Sequence, residues 1–232
     1  MVNLTKPTIE YNGYRGIPGG TRYLKKTIYS AFNRYPEQIP IIGQLMEKKD
    51  GPLRMLNVGI AQGEEPLTYL KAAFDIHKKQ PLRNVPNILD LYMVDAMRHF
   101  TLHPQAKDYC SPEAIEHLNN LARIKGKTFM GTPIETFVQK PPLKSFDVIL
   151  FNNVLQHMDH SDTKSSLSAI EKLMKMVKKG GILCMEPELE GLEGLARKMQ
   201  NSELANSLYE KIESLLQELD FKKIAKATFK RG

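Results

Sequence analysis

The stretch Met55-Leu-Asn-Val-Gly-Ile-Ala-Gln-Gly-Glu-Glu-Pro66 governs how the rest of the chain reads. Leu53 to Val58 is a short, mainly apolar run with the length of a buried strand. Gly59 and Gly63 then open a turn poor in side chains, and Glu64 to Lys79 carries Leu67, Leu70 and Phe74 at helical spacing. Strand, glycine turn and helix in that order present backbone to a nucleotide-like ligand at the carboxyl end of the first strand of an α/β sheet. A Cβ in the turn would hold such a ligand off the backbone. A phosphate binder keeps the helix N-terminus bare, because its partial positive charge favours an anion. Glu64 and Glu65 stand at that spot instead and would repel a pyrophosphate. The charge suits a cationic ligand with an α-amino group and a sulfonium, the chemistry of S-adenosylmethionine.

Towards the C-terminus the pattern repeats. Gln80 to Asn87 reads as a loop broken by prolines, and Asp90 to Val94 as a second apolar strand ending in Asp95. A carboxylate at that tip can accept two hydrogen bonds from ribose hydroxyls. Ser111-Pro112-Glu113 starts a helix with a cap, a proline in the first turn and an acid, and the helix is expected to run to Ile124. Lys127 to Met130 is a third strand, and its exit loop Gly131-Thr132-Pro133-Ile134 borders the adenine in this topology, within reach of Thr132. Phe146 to Phe151 is the fourth and most apolar strand, with Asn152 and Asn153 at its carboxyl end. A helix from Ser161 to Lys178 is expected to stop at Lys179-Gly180-Gly181, followed by a fifth strand, Ile182 to Met185. Glu203 to Leu219 reads as a last helix and Lys222 to Lys230 as one antiparallel strand closing the sheet.

Before the opening strand lie weaker signals. Residues 1–20 are rich in turn formers, and Tyr11, Tyr14 and Arg15 suit either a lid or an arm packed on the core. Thr21 is placed to cap a helix to about Asn33, with Leu24, Ile28 and Phe32 on one face. Pro36 and Pro40 interrupt, and a short helix follows from Ile41 to Glu47. The chain therefore divides into an N-terminal arm and short helical segment, 1–50, and a main domain, 51–232. The fold class expected is α/β, a doubly wound and mostly parallel seven-stranded Rossmann-like sheet.

Composition narrows the class. The 41% hydrophobic and 25% charged residues are ordinary for a globular protein, and no apolar run approaches the ~20 residues of a membrane span. Cys110 and Cys184 have no metal or redox spacing, which points to a reducing compartment and a cytoplasmic location. The net charge of +7 admits an acidic partner such as RNA, although lysine-rich helix faces also account for it. His157 and His160, beside the fourth-strand exit, are the nearest candidate bases but read better as structural or solvent-facing, and His77 and His117 read as helix-surface residues. No His, Cys or acid spacing commends a metal site.

The repeated βα order, the glycine turn, the acid after strand two, Phe146-Asp147-Val148-Ile149 and Lys179-Gly180-Gly181 together resemble a class I S-adenosylmethionine-dependent methyltransferase. Within that class, Gly59-Ile-Ala-Gln-Gly-Glu-Glu-Pro66 is similar to the Gly-Cys-Ser-Thr-Gly-Glu-Glu-Pro signature of the CheR-type chemotaxis receptor methyltransferases. Phe146-Asp-Val-Ile-Leu-Phe-Asn-Asn-Val154 with Met158-Asp159 is similar to that family's Phe-Asp-(Ala/Leu)-Ile-Phe-Cys-Arg-Asn-Val and Phe-Asp, and Thr21-Arg-Tyr-Leu-Lys25 more faintly to its Thr-Ser-Phe-Phe-Arg. The resemblance implies S-adenosyl-L-methionine as cofactor, with S-adenosyl-L-homocysteine as product. It implies cofactor contacts at Thr21, Gly59, Ala61, Gly63, Glu65, Asp95, Ala96, Thr132, Asn152 and Asn153. Glu65 would take the amino-acid moiety, Asp95 the ribose, and Lys25 the place of an arginine near the reacting centre. Lys25 keeps that charge but lacks the bidentate fork.

The family's helical N-terminal domain is shortened here, and its inserted β-subdomain is replaced by residues 99–126, which look helical. The acceptor implied is a carboxylate of a protein or small molecule. A small-molecule hydroxyl or an RNA acceptor, and a regulatory protein that binds the cofactor without turnover, stay open beside it.

Overall fold

A computed structural model describes residues 32, 35–98, 102–152, 154–155, 158, 163–185 and 202–232. In chain order these form α1 (Gln38–Lys48), β1 (Leu53–Val58), α2 (Glu64–Lys79), α3 (Val85–Ile88), β2 (Leu89–Asp95), α4 (Ala106–Tyr109) and α5 (Pro112–Leu121). Then come β3 (Thr128–Met130), α6 (Ile134–Phe137), β4 (Phe146–Phe151), α7 (Thr163–Lys175), β5 (Val177–Met185), α8 (Ser202–Glu218), β6 (Phe221–Ala225) and β7 (Thr228–Arg231).

The strands make one seven-stranded sheet in the order β3-β2-β1-β4-β5-β7-β6. β1 pairs in parallel with β2 and β4, β2 with β3, and β4 with β5, whereas β7 runs antiparallel to both β5 and β6. From β1 the chain winds outward to β2 and β3, then returns to β4 and winds the other way. The order reverses between β1 and β4, the switch point at whose carboxyl-end side open α/β sheets take their ligands.

Period-two alternation sends neighbouring residues to opposite faces. Leu53, Met55, Leu91, Met93, Val148 and Leu150 join a core with residues of α1, α2, α3 and α5. Leu56, Val58, Val94, Ile149 and Phe151 join a second core with α6, α7 and α8. Both faces of the central strands are covered, so the sheet is doubly wound. Each fully buried aliphatic or aromatic side chain contributes roughly 1.5–3 kcal/mol over its exposed state.

The first strand and helix span the expected residues, and the expected α/β fold class holds. Five details differ. α1 begins at Gln38 rather than Ile41, because Pro40 occupies the third helical position, where the backbone lacks an intrahelical N–H partner in any case. The loop before β2 contains a helical turn, α3, capped by the Asn84 side chain, which accepts from Asn87 N–H. Ser111 caps α5 by accepting from Ala114 N–H, but the helix ends at Leu121, short of Ile124.

Lys179-Gly180-Gly181 does not end a helix. It lies inside β5, which starts at Val177 and shifts register against β4 between Phe146 and Val148. Gly180 has φ +74, and a Cβ on Gly181 would stand 2.8 Å from the Asp147 and Lys178 carbonyl oxygens. The glycines thus serve an irregularity within a strand. Finally, the single strand expected over 222–230 is a hairpin, β6 and β7, turning at Lys226 and Ala227. Ala227 adopts φ 47 without the Gly or Asn that usually signals such a turn.

Candidate functional site

The turn after β1 is drawn tight by its own backbone. Gly59 N–H donates to the Val94 carbonyl at 2.9 Å, and Gly63 N–H to the Ile60 carbonyl at 2.8 Å. Gly59 has φ +75, and a Cβ there would meet Val154 Cγ2 at 2.7 Å, so only glycine fits without displacement. Gly63 caps α2 in the left-handed region at φ 83. Ala61 shares that region at φ 47, an uncommon conformation for a residue with a Cβ.

Asp95 holds Ala61 in place. Its Oδ2 accepts from Ala61 N–H at 3.1 Å and its Oδ1 from Met97 N–H at 2.7 Å. Burial pushes the Asp95 carboxyl above its ordinary value of 3.8, against the opposing effect of the Met97, Ala61 and Ile60 N–H groups. Each oxygen retains acceptor capacity beyond these bonds. Thr132 N–H donates to the Asp95 carbonyl at 2.9 Å and Gly131 N–H to that of Met97 at 2.6 Å, so the loop after β3 is tied to the tip of β2. Ala96, next to Asp95, is exposed, and Thr132 is half-buried.

Glu64 and Glu65 have different surroundings. Glu64 is buried: its Oε2 accepts from Gln62 N–H at 3.2 Å, and its Oε1 lies 3.8 Å from Nε2 of the buried His103. His103 Nδ1 accepts from Gln105 N–H, and its backbone N–H donates to the Gln62 carbonyl, so residues 103–105 clasp the glycine turn. Glu64 is thus turned inward, and its carboxylate still bars a phosphate from the turn. It occupies turn amides that a phosphate binder would leave bare.

Glu65 is half-buried and held by two side-chain amides. Asn57 Nδ2 donates to Oε2 and Asn152 Nδ2 to Oε1, each at 2.6 Å. Asn152 also pairs with Gln38 in both directions, at 2.9 and 3.2 Å. Gln38 Nε2 reaches the Ala227 carbonyl at 3.3 Å, and Tyr69 Oη donates to Gln38 Oε1 at 3.5 Å. Gln38 and Asn57 are fully buried, and Asn57 Oδ1 has no hydrogen-bond partner. An orphaned acceptor of this kind costs about 1–3 kcal/mol.

The structure thus gathers Gly59, Ala61, Gly63, Glu65, Asp95, Ala96, Thr132 and Asn152 at the carboxyl ends of β1 to β4. They form two bonded groups, one around Asp95 and one around Glu65, on either side of the turn. Thr21, Lys25 and Asn153 lie outside the described residues, as do residues 1–20, the helix expected from Thr21 except Phe32, and His99, His157, Asp159 and His160. Phe32 stacks on Tyr109 with centroids 4.3 Å apart and meets His103 edge-on at 5.6 Å. His77 and His117 are half-buried rather than surface residues: His77 Nδ1 sits 2.8 Å from the Arg83 carbonyl, and burial lowers the His117 pKa.

Gln38 and Asn57 are the site residues that sequence reasoning missed. The legible signal for Asn57 was an uncharged polar side chain inside the apolar run that follows Arg54. Gln38 carried none, because its partners lie 31, 114 and 189 residues away.

No protein-family model and no curated protein matches the sequence. Among solved structures the chain is similar to the N-methyltransferase NodS from Bradyrhizobium japonicum WM9 in complex with S-adenosyl-L-homocysteine, at 16% identity over 86% of this chain and 88% of that one, with a TM-score of 0.42. It is also similar to monomeric WbdD, at 15% identity over 88% of this chain and 42% of that one, TM-score 0.48. A third likeness is to an O-methyltransferase family protein from Burkholderia thailandensis, at 13% identity over 84% and 55%, TM-score 0.43. The strand order, with β7 antiparallel to its neighbours, is that of a seven-stranded, doubly wound Rossmann-like sheet.

Proposed function

We propose that this chain is an S-adenosylmethionine-dependent methyltransferase of CheR-like descent, acting on a carboxylate of a protein or small molecule. The observation that carries the reading is the pair of carboxylates, Glu65 and Asp95, flanking a glycine turn at the point where the strand order reverses. A nucleoside carrying a sulfonium and an α-ammonium group fits that charge, whereas a pyrophosphate does not. The turn amides of Ala61 and Gln62 are occupied by Asp95 and Glu64, which favours the same choice.

In this reading Glu65 accepts from the ligand's ammonium group and Asp95 from its ribose hydroxyls. Gly59, Ala61, Gly63 and Ala96 let the backbone approach, and Thr132, Asn152, Asn153 and Thr21 complete the contacts. S-adenosylmethionine held there supplies a methyl group already activated by a sulfonium. Lys25 would draw an acceptor carboxylate to the crevice by charge. Such an acceptor, with an unperturbed pKa of about 4.3, is ionised at neutral pH and needs no general base.

Calorimetry with S-adenosylhomocysteine tests the cofactor, and absence of binding would remove the reading. Incubation of a cell lysate with methyl-labelled cofactor tests the acceptor. Base-labile label marks an ester, and base-stable label rejects the carboxylate.

One observation favours a second acceptor, RNA: Lys222, Lys223, Lys226 and Lys230 are exposed on the β6–β7 hairpin of a chain with net charge +7. Binding to RNA that weakens steeply with salt would support it. Binding of the cofactor with no transfer to any lysate component would instead mark a regulatory protein.

A further inference from the structure

We infer that Gln38, on the helix preceding the sheet, is a positioning residue for the amino-acid end of the ligand, acting through Asn152 and Glu65. The inference rests on the cofactor reading above and adds to it a residue from outside the main domain.

Gln38 is fully buried, and its amide pairs with that of Asn152 in both directions. Such a pair fixes which way both amides face. If Asn152 turned over, its oxygen would meet Gln38 Oε1 and its nitrogen would meet Gln38 Nε2. In the orientation Gln38 imposes, Asn152 Nδ2 donates to Glu65 Oε1 as well. Gln38 therefore decides that Glu65 meets a donor there and not a second oxygen. Its contact with the Ala227 carbonyl anchors it from a third direction, the turn between β6 and β7.

Asn57 does the same for the other oxygen of Glu65. Its Nδ2 donates to Oε2, while its own Oδ1 stays buried without a partner. The amide orientation that orphans Oδ1 is the one that serves Glu65. With an asparagine amide on each oxygen, the carboxylate plane is set before a ligand arrives, and a carboxylate oxygen can accept more than one such bond. A preset acceptor spares the ligand the loss of ordering a mobile side chain. A buried side chain needed only for packing would have no reason to be a glutamine, since desolvating its amide is unfavourable.

The test compares two ligands on the full chain. S-adenosylhomocysteine carries the amino-acid end, and 5′-methylthioadenosine keeps the nucleoside and thioether without it. Calorimetry is run on wild type, Gln38→Met and Asn57→Leu, with thermal unfolding of each ligand-free protein as a fold control.

In Gln38→Met the affinity for S-adenosylhomocysteine is expected to fall about tenfold while that for 5′-methylthioadenosine stays within about twofold. Equal losses for both ligands, or none, in a folded variant overturn the inference. Should Gln38→Met not fold, Asn57→Leu reads the same ratio, and an unchanged ratio there overturns it equally. Wild type that binds neither ligand removes the cofactor reading and this inference with it. Wild type that prefers S-adenosylhomocysteine, with both variants keeping that preference, removes this inference alone.

Discussion

The two ends of the central strands treat their carboxylates in opposite ways. At the amino ends, Asp147 on β4 accepts from Lys178 Nζ at 2.9 Å, Lys49 Nζ at 3.2 Å and the Arg54 N–H at 2.8 Å. Asp90 on β2 pairs there with Lys127 and lies 3.8 Å from the Arg54 guanidinium. At the carboxyl ends, Glu65 is met by the amides of Asn57 and Asn152, and Asp95 by backbone N–H groups. Lysines cancel charge, whereas amides orient a carboxylate and leave its charge in place. The amino ends are therefore built for stability. At the carboxyl ends the bonds named here come from neutral amides, an arrangement that suits the cationic ligand proposed above.

The largest effect that would break this contrast is expected from Asp95→Ala. That variant loses the brace on Ala61 and, in the proposed reading, the acceptor for the ligand's hydroxyls. Calorimetry should show S-adenosylhomocysteine binding weakened by about thirtyfold, roughly 2 kcal/mol. Unchanged affinity would mean that the Asp95 carboxylate is structural alone. Gly59→Ala comes next. Its methyl would press on Val154 Cγ2 and hold φ +75 in a region disfavoured for a side chain. Thermal unfolding should reveal a loss of about 1.5 kcal/mol.

Glu65→Gln sharpens the contrast, because it removes charge and changes little in shape. Affinity for S-adenosylhomocysteine should drop about tenfold and that for 5′-methylthioadenosine should not follow. Equal affinities of wild type and variant for both ligands would deny Glu65 its role.

Asp147→Asn, at the other end, should leave ligand binding alone and lower stability by about 1 kcal/mol at neutral pH. Here the two ends differ in the sign of their pH dependence. Burial pushes the Asp147 carboxyl up, but Lys178, the Arg54 N–H and Lys49 outweigh it and hold it below its ordinary value of 3.8. Its stabilisation is present above 3.8 and is lost as pH falls through the lowered value. Asp95 is the reverse. With a raised folded pKa, its contribution is full below 3.8 and is lost as pH rises through the raised value. Unfolding of Asp147→Asn and Asp95→Asn, each measured against wild type across this range, should diverge in opposite directions. Parallel curves would erase the distinction between the two ends.

Much of the site was legible in the chain because it is local. Gly59, Gly63 and Glu65 fall within seven positions, and apolar period and glycine placement suffice to set a strand, a turn and a helix there. Asp95 was legible because the second strand ends at it. Where reasoning failed, a distant partner had overridden a local signal. Lys179-Gly180-Gly181 carries the mark of a helix end, yet β4 recruits it as strand. Glu64 and Glu65 are neighbours of the same chemistry, and only the burial of His103 beside one and of two asparagines beside the other tells them apart. Lys226-Ala227 lacks turn chemistry and turns because β7 must pair with β5.

The sequence by itself determined the α/β winding, the span of the first strand and helix, and the acids at the tips of the first two βα units. Those follow from periodicity and turn chemistry over a few residues. The tertiary structure alone decided which of the two acids is buried and what holds the other, since Gln38, Glu65 and Asn152 meet only after α1, α2 and the end of β4 are packed together. Hydrogen-bond partners 87 and 114 residues apart leave no periodic trace in a chain, because their pairing is selected by the geometry of the folded sheet.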